Sequence, residues 1–398
     1  MLKSASKRNL FTFTSSFQKI CCASLFNNMF LSQYRNFIHH FYLSSLTFFI
    51  IFTIIKNNIL EMAEANFFQF ETNELVNIAK SDEFTSNSKG QRIHLRTTWS
   101  ISTPPKAVII VLHGYGSHGN RPTHSFLAKK FNEANYAYVT VDFHGHGYSE
   151  GSRGFIEKHD DLIDDALSVL IVLFGGNRGF SNNTFNGIPF YIMGHSTGGG
   201  TAIAVGNILH RDRVLPEALQ PFKILFETSI RPQFKGLLLF CPVVQIVQLP
   251  QVITTVVIGS LAVLFGRHCF PLWIINENSF NHQCWACPEY RKYIVSDGFP
   301  LNKQGLSYGG NIQFITLNAV VRLSQHVQSI ISSISCPFVV FHDPNDTTVP
   351  ITGSHLLLKR ACSLRKSVVE VQDGLHDIIA NKVDYVAEQS IKWMSEVE

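Results

Sequence analysis

From about residue 90 the chain alternates short runs of β-branched and aromatic residues with stretches whose apolar positions recur at helical spacing. That alternation predicts a mostly parallel sheet with helices on both faces. Ala107–His113 is a continuous apolar run ahead of Gly114 and predicts a buried strand; Ala137–Asp142 predicts a second. Apolar residues at 162, 163, 166, 167, 170 and 173 form one stripe over Asp160–Leu173, opened by acids that suit a helix N-terminus. Further strands are predicted at Pro189–Met193, Gly236–Cys241, Pro337–His342 and Ser367–Val371. A helix from about Ile378 to Met394 closes the chain.

Two stretches depart from this rhythm. Residues 174–188 are rich in Gly and Asn and read as an irregular loop. Between Cys241 and Pro337 lie roughly 95 residues, too many for one crossover, which predicts an inserted helical cap over about 243–330. The insertion opens with the apolar run Val252–Phe265, too short to span a bilayer. Its two readings are a buried core helix and a cap that turns an apolar face to lipid or a membrane surface.

Ahead of the body stands a different kind of segment. Residues 1–36 are basic, rich in Ser and Phe and free of acid, as organelle-targeting peptides are. Residues 41–55 are apolar or small and fall short of the ~20 residues a spanning helix needs; extending back to Phe37 gives nineteen at the cost of including His39 and His40. A membrane anchor, a cleaved targeting sequence and an untranslated extension with Met62 as the start compete here. The expected location is accordingly membrane-associated, with organelle targeting or the cytoplasm as alternatives. Of two glycosylation sequons, Asn182–Thr184 and Asn345–Thr347, the second falls in a loop argued below to carry chemistry, which counts against a lumenal body. The chain is thus divided into a leader, 1–60, and a body, 61–398.

Composition sharpens that division. The 398 residues are 45% hydrophobic and 16% charged, enough apolar mass for a sizeable core, which excludes general disorder. The net charge of +4 is too small to mark a nucleic-acid binder. Six cations sit in the leader with no carboxylate before Glu61, leaving 27 basic against 29 acidic side chains beyond residue 60, a net −2. Eight cysteines in so long a chain are not a disulfide scaffold.

The strongest chemical signal is Gly194-His195-Ser196-Thr197-Gly198, followed by Gly199 and Gly200, between a predicted strand and a helical segment. This is the pattern of a nucleophile elbow, in which a sharp turn exposes a serine hydroxyl above helix N–H groups. A hydroxyl is a weak nucleophile at neutral pH and needs a base, itself oriented by a carboxylate. Asp346, in Asp343-Pro344-Asn345-Asp346, and His376, in Gly374-Leu375-His376, follow the last two predicted strands in the expected order. Oxyanion stabilisation needs backbone N–H donors, for which Thr197 and Tyr115, within His113-Gly114-Tyr115-Gly116, are the candidates.

With His144-Gly145-His146-Gly147-Tyr148-Ser149-Glu150-Gly151 added, residues 85–396 resemble the monoacylglycerol lipases, grouped with the serine aminopeptidases, of the α/β-hydrolase fold. The resemblance implies an α/β-hydrolase with a helical cap, and a serine esterase that cleaves a monoacylglycerol through an acyl-serine intermediate without metal or cofactor. It implies a lipid ester as substrate and contact with a membrane surface through the cap; the apolar N-terminal segment, if it is an anchor, is a second membrane contact, and the small net charge leaves no nucleic-acid partner expected. Thr197 stands where that family has methionine, and Asp343 replaces a glycine; Asp346 keeps the family position, so it is preferred to Asp343. Lysophospholipase, general carboxylesterase and a catalytically idle receptor or scaffold are the competing functions.

Cys284-Trp285-Ala286-Cys287, after His282, raises the question of zinc. A structural site takes about four ligands, commonly in two pairs, and no second pair stands nearby, so no metal site is expected. His144 and His146 read as turn residues.

Overall fold

The computed structural model describes residues 78–100, 102–175, 185–210, 222–227, 230–246, 251–268, 283–299 and 302–397. The leader with its candidate anchor at 37–55, the sequon Asn182–Thr184 and His282 lie outside these residues.

Eight strands form one sheet: β1 (Ile78–Ser86), β2 (Arg92–Ser100), β3 (Val108–Leu112), β4 (Ala137–Val141), β5 (Phe190–His195), β6 (Phe234–Phe240), β9 (Phe338–His342) and β10 (Lys366–Glu370), in the order β1-β2-β4-β3-β5-β6-β9-β10. The first two strands pair antiparallel, β2 lies antiparallel to β4, and every later neighbour is parallel. A two-stranded ribbon of β7 (Gly298–Phe299) and β8 (Ser307–Tyr308) stands apart. The β1–β2 hairpin was not legible in the apolar pattern. β1 carries Lys80, Asp82 and Glu83 along an edge, and an edge strand leaves no continuous apolar run.

Each central strand divides its side chains between two cores. Val108, Ile110 and Leu112 face one, with Phe190, Ile192, Leu237 and Leu239. Ile109 and Val111 face the other, with Tyr191, Met193, Leu238 and Phe240. That two-sided burial explains the unbroken apolar runs in the sequence. The first face is covered by α2 (His159–Phe174), α3 (Thr197–His210), α6 (Phe314–Ile330) and α7 (Thr352–Arg360), the second by α1 (Pro122–Glu133) and the C-terminal helix α8 (Val383–Val397). Asp160 and Asp161 in the first turn of α2 favour its positive end. The closing helix predicted over Ile378–Met394 is broken: Asp377 caps a single turn, Ile378–Asn381, and Lys382 leaves helical geometry at φ −135° before α8 begins.

Between β6 and β9 run α4 (Gln251–Phe265), α5 (Pro288–Ser296), the small ribbon and α6. α4 packs on α6 yet is not a buried core helix. Val263 is 86% and Leu264 73% exposed, with Val256, Val257 and Phe265 also open. Of the two readings of that run, the apolar face turned outward is the one observed. Among the described residues no helix is long and apolar enough to cross a membrane.

Candidate active site

The sheet reverses its winding at β3, whose neighbours β4 and β5 continue in opposite directions, and crevices form at the carboxyl ends of strands beside such a point. Ser196 sits there, between the end of β5 and the start of α3, with φ 53°. A non-glycine residue in the left-handed region is strained, and the elbow holds it with two bonds: Ser196 N donates to Phe240 O at 3.0 Å and its own carbonyl accepts from Val243 N at 2.9 Å. The glycine at 198 is obligatory, since a Cβ there would lie 2.1 Å from Leu112 O.

The strand ends bring Ser196, Asp346 and His376 together from positions far apart in the chain. Ser196 Oγ lies 3.0 Å from His376 Nε2, and His376 Nδ1 lies 2.7 Å from Asp346 Oδ2. With Asp346 ionised, Nδ1–H donates to the carboxylate and Nε2 is left to accept the serine proton. Burial alone would raise the Asp346 carboxyl, but hydrogen bonds from His342 and His376, the His376 charge and the Val349 N–H hold it far below the ordinary carboxylate range. The other oxygen, Oδ1, accepts from Thr348 N at 2.8 Å and Val349 N at 3.0 Å. This set can take a proton from the serine hydroxyl and carry the resulting positive charge on an imidazole beside a fixed negative one.

Asp343, the alternative acid, does other work. Its Oδ1 accepts from Asn345 N at 2.8 Å and its Oδ2 from Leu375 N at 2.7 Å, tying the acid loop to the histidine loop.

The loop after β3 packs directly on the elbow. A Cβ on Gly114 would come 3.1 Å from Ser196 Cβ and 3.0 Å from His195 Nδ1, so a larger residue would crowd these side chains. His113 Nδ1 donates to Gly114 O at 2.7 Å, and its Nε2 accepts from Phe143 N at 3.1 Å, which fixes the neutral tautomer. Burial, followed by the charge of His146, pushes the His113 imidazole well below its ordinary value. The Tyr115 hydroxyl donates to Gly154 O at 3.0 Å, committing that side chain to packing. Thr197 opens α3, where the first N–H groups have no partner within the helix. A dipole and free donors at that end suit developing negative charge.

Among the described residues the only group of three potential metal ligands is Cys241, Asp346 and His376, whose donor atoms lie within 4.8 Å of one another. Asp346 and His376 are already bonded to each other, and burial drives the Cys241 thiol well above its usual value, so this donor set favours protons. Cys284 is not in that group: it packs with Trp285, Tyr290 and Ile294, and burial pushes its thiol to about 12. Cys287 Sγ donates to Glu289 at 3.2 Å. His144 and His146 are indeed held within the fold, the first by Asp165 at 2.7 Å, the second by His144 O at 3.0 Å.

Sequence reasoning missed two contacts to the histidine loop. His195 Nε2 donates to His376 O at 3.0 Å, joining the residue before the elbow serine to the imidazole-bearing backbone. Arg121 and Asp377, both buried, pair at 3.5 Å.

Comparison with known proteins adds the context. A family model described as serine aminopeptidase, S33, matches residues 103–219, which include Tyr115, Ser196 and Thr197 and stop short of Asp346 and His376. The chain is 24% identical over 311 residues to a monoacylglycerol lipase of Mycolicibacterium smegmatis, covering 77% of this chain and 94% of that protein. It is 30% identical over 150 residues to the monoglyceride lipase of Homo sapiens, covering 35% of this chain and 46% of that one. Among solved structures it is similar to a soluble variant of monoglyceride lipase from Saccharomyces cerevisiae in complex with a substrate analog, with TM-score 0.59, 15% identity, and coverage of 82% and 97%.

Proposed function

We propose that the chain is a monoacylglycerol lipase-like serine esterase of the α/β-hydrolase fold, acting on lipid esters, foremost monoacylglycerols, a reading its similarity to the serine aminopeptidase family model and to monoacylglycerol lipases supports. The observation that carries the reading is the unbroken chain Ser196 Oγ, His376 Nε2, His376 Nδ1, Asp346 Oδ2, with separations of 3.0 Å and 2.7 Å. In it Ser196 attacks the ester carbonyl while His376 takes its proton. Asp346 orients the imidazole and stabilises its charged form; it stays ionised throughout. The backbone N–H groups of Tyr115 and Thr197 hold the oxyanion. Collapse of the tetrahedral intermediate returns the proton to the departing alcohol and leaves an acyl-serine. Water, deprotonated by the same imidazole, then releases the fatty acid. All the chemistry is protein chemistry, with no step assigned to a metal or cofactor.

The residues from about 243 to 330 act in this reading as a cap over the body, 61–398, and the outward apolar face of α4 supports contact with a lipid surface. A retained 1–60 leader would be a second device for the same meeting. The test is turnover of a monoacylglycerol, a lysophospholipid and a soluble p-nitrophenyl ester, with Ser196→Ala as the blank. Highest kcat/KM on the monoacylglycerol supports the proposal. Preference for the lysophospholipid or for the soluble ester would make the protein a lysophospholipase or a general carboxylesterase. No Ser196-dependent turnover of any of them would leave a receptor or scaffold.

A further inference from the structure

The histidine loop is strained. Asp373 and Leu375 both hold left-handed backbone, at φ 56° and 51°, on either side of Gly374. Non-glycine residues stay in that region only where their surroundings over-determine them. Besides the Asp343 bond to Leu375 N and the His195 bond to His376 O, the surroundings here come from the inserted segment Gln283–Cys287. His376 N donates to Gln283 O and Asp377 N to Cys284 O, each at 3.3 Å. Asn381 Nδ2 reaches both Cys284 O and Gly374 O at 2.8 Å, and Ala286 N donates to Asn381 Oδ1 at 2.9 Å.

Side chains close the same seam. The Trp285 indole N–H donates to Asp377 Oδ2 at 2.8 Å. The Arg121 guanidinium pairs with that same oxygen at 3.5 Å and lies 5.9 Å from the centre of the Trp285 ring. The other Asp377 oxygen accepts from Ala380 N at 3.2 Å. All three side chains are buried. Burial alone would raise the Asp377 carboxyl, but the charges of His195 and Arg121 and the Trp285 bond hold it below its ordinary value. A buried charge fixed in this way resists displacement, because a shift of the loop would leave it without its partners. Arg121 and Asp377 also line one small cavity with His195, His113 and Gly114, so the seam reaches the elbow and the loop after β3.

We propose that Trp285 and Asp377, with Arg121, are positioning residues that brace the strained backbone of His376 from the inserted segment. The insertion then does more than cover the substrate: it sets the distance from His376 to Ser196 and Asp346. This inference rests on the esterase reading for its kinetic consequence and on the hydrogen bonds alone for its structural one.

The test uses the full chain with Trp285→Phe, which keeps a ring and removes the indole donor, and Asp377→Asn, which keeps the shape and removes the charge. Thermal unfolding first establishes that each variant is folded. For the soluble ester, kcat is expected to fall about tenfold or more, as a displaced proton acceptor requires, while KM changes less than about twofold. The low-field proton NMR resonance of the His376–Asp346 bond is expected to shift or broaden in the same variants. A folded variant in which either kcat or that resonance keeps its wild-type value overturns the proposal, as does a loss confined to KM. Failure of both variants to fold would make the seam a folding contact and equally overturn it. If Ser196→Ala retains turnover, the esterase reading fails separately, and the resonance still decides the brace.

Discussion

Two aspartates three residues apart take opposite parts at the histidine. Asp346 meets His376 Nδ1 at 2.7 Å, whereas both oxygens of Asp343 are spent on backbone N–H groups. Asp346→Asn should lower kcat by about ten-thousandfold, since an amide in its place favours the wrong imidazole tautomer. Asp343→Asn retains one acceptor and should cost about tenfold or less, the scale of one weakened hydrogen bond. Steady-state rates on a soluble ester separate the two, and the reverse order would exchange their assignments. The proposed triad was legible because each of its residues stands just after an apolar strand, next to glycine or in an acid-rich turn. The brace was not: Trp285 and Asp377 lie 92 residues apart and neither belongs to a motif.

At the scale of elements, buried runs announced the parallel strands to within a residue or two, because a strand covered on both faces has no room for polar side chains. The edge hairpin β1–β2 escaped, as did α1, which opens on Pro122 with a mostly polar surface. The run Val252–Phe265 was visible as apolar, but its direction could not be read from composition. An exposed valine and a buried one look alike in a sequence. Since Val263 and Leu264 stand 86% and 73% open, Val263→Asp with Leu264→Asp should leave folding and soluble-ester turnover nearly unchanged. The same pair should weaken co-sedimentation with phosphatidylcholine vesicles severalfold, by removing apolar area that would enter the lipid interface. Unchanged vesicle binding would remove α4 from the account of how the protein meets lipid.

Across the whole body, the insertion is fastened to the loop after β3 as well as to the histidine loop. Tyr308 N donates to Gly116 O at 2.8 Å, and His118 Nε2 donates to Asp297 Oδ2 at 2.9 Å. Burial by itself would raise the Asp297 carboxyl, but the His118 bond and charge and bonds from Ser307 and Leu306 bring it from 3.8 to about 2. A carboxyl depressed in the folded state stabilises above its unfolded value and loses that contribution as pH falls through its folded one. Asp297→Asn should therefore melt lower than the wild type above pH 3.8, with the gap closing as the pH falls towards about 2, followed by thermal unfolding across that range. A gap independent of pH would mean that the carboxylate's charge plays no part in fastening the insertion.

The proposed chemistry turns on one atom, Ser196 Oγ, and its most direct test is covalent. A fluorophosphonate added to the folded full-length protein should attach once per chain, to Ser196, as read by intact mass and peptide mapping. Ser196→Ala should abolish both this labelling and ester hydrolysis. Labelling elsewhere, or labelling and turnover that survive in folded Ser196→Ala, would contradict the account.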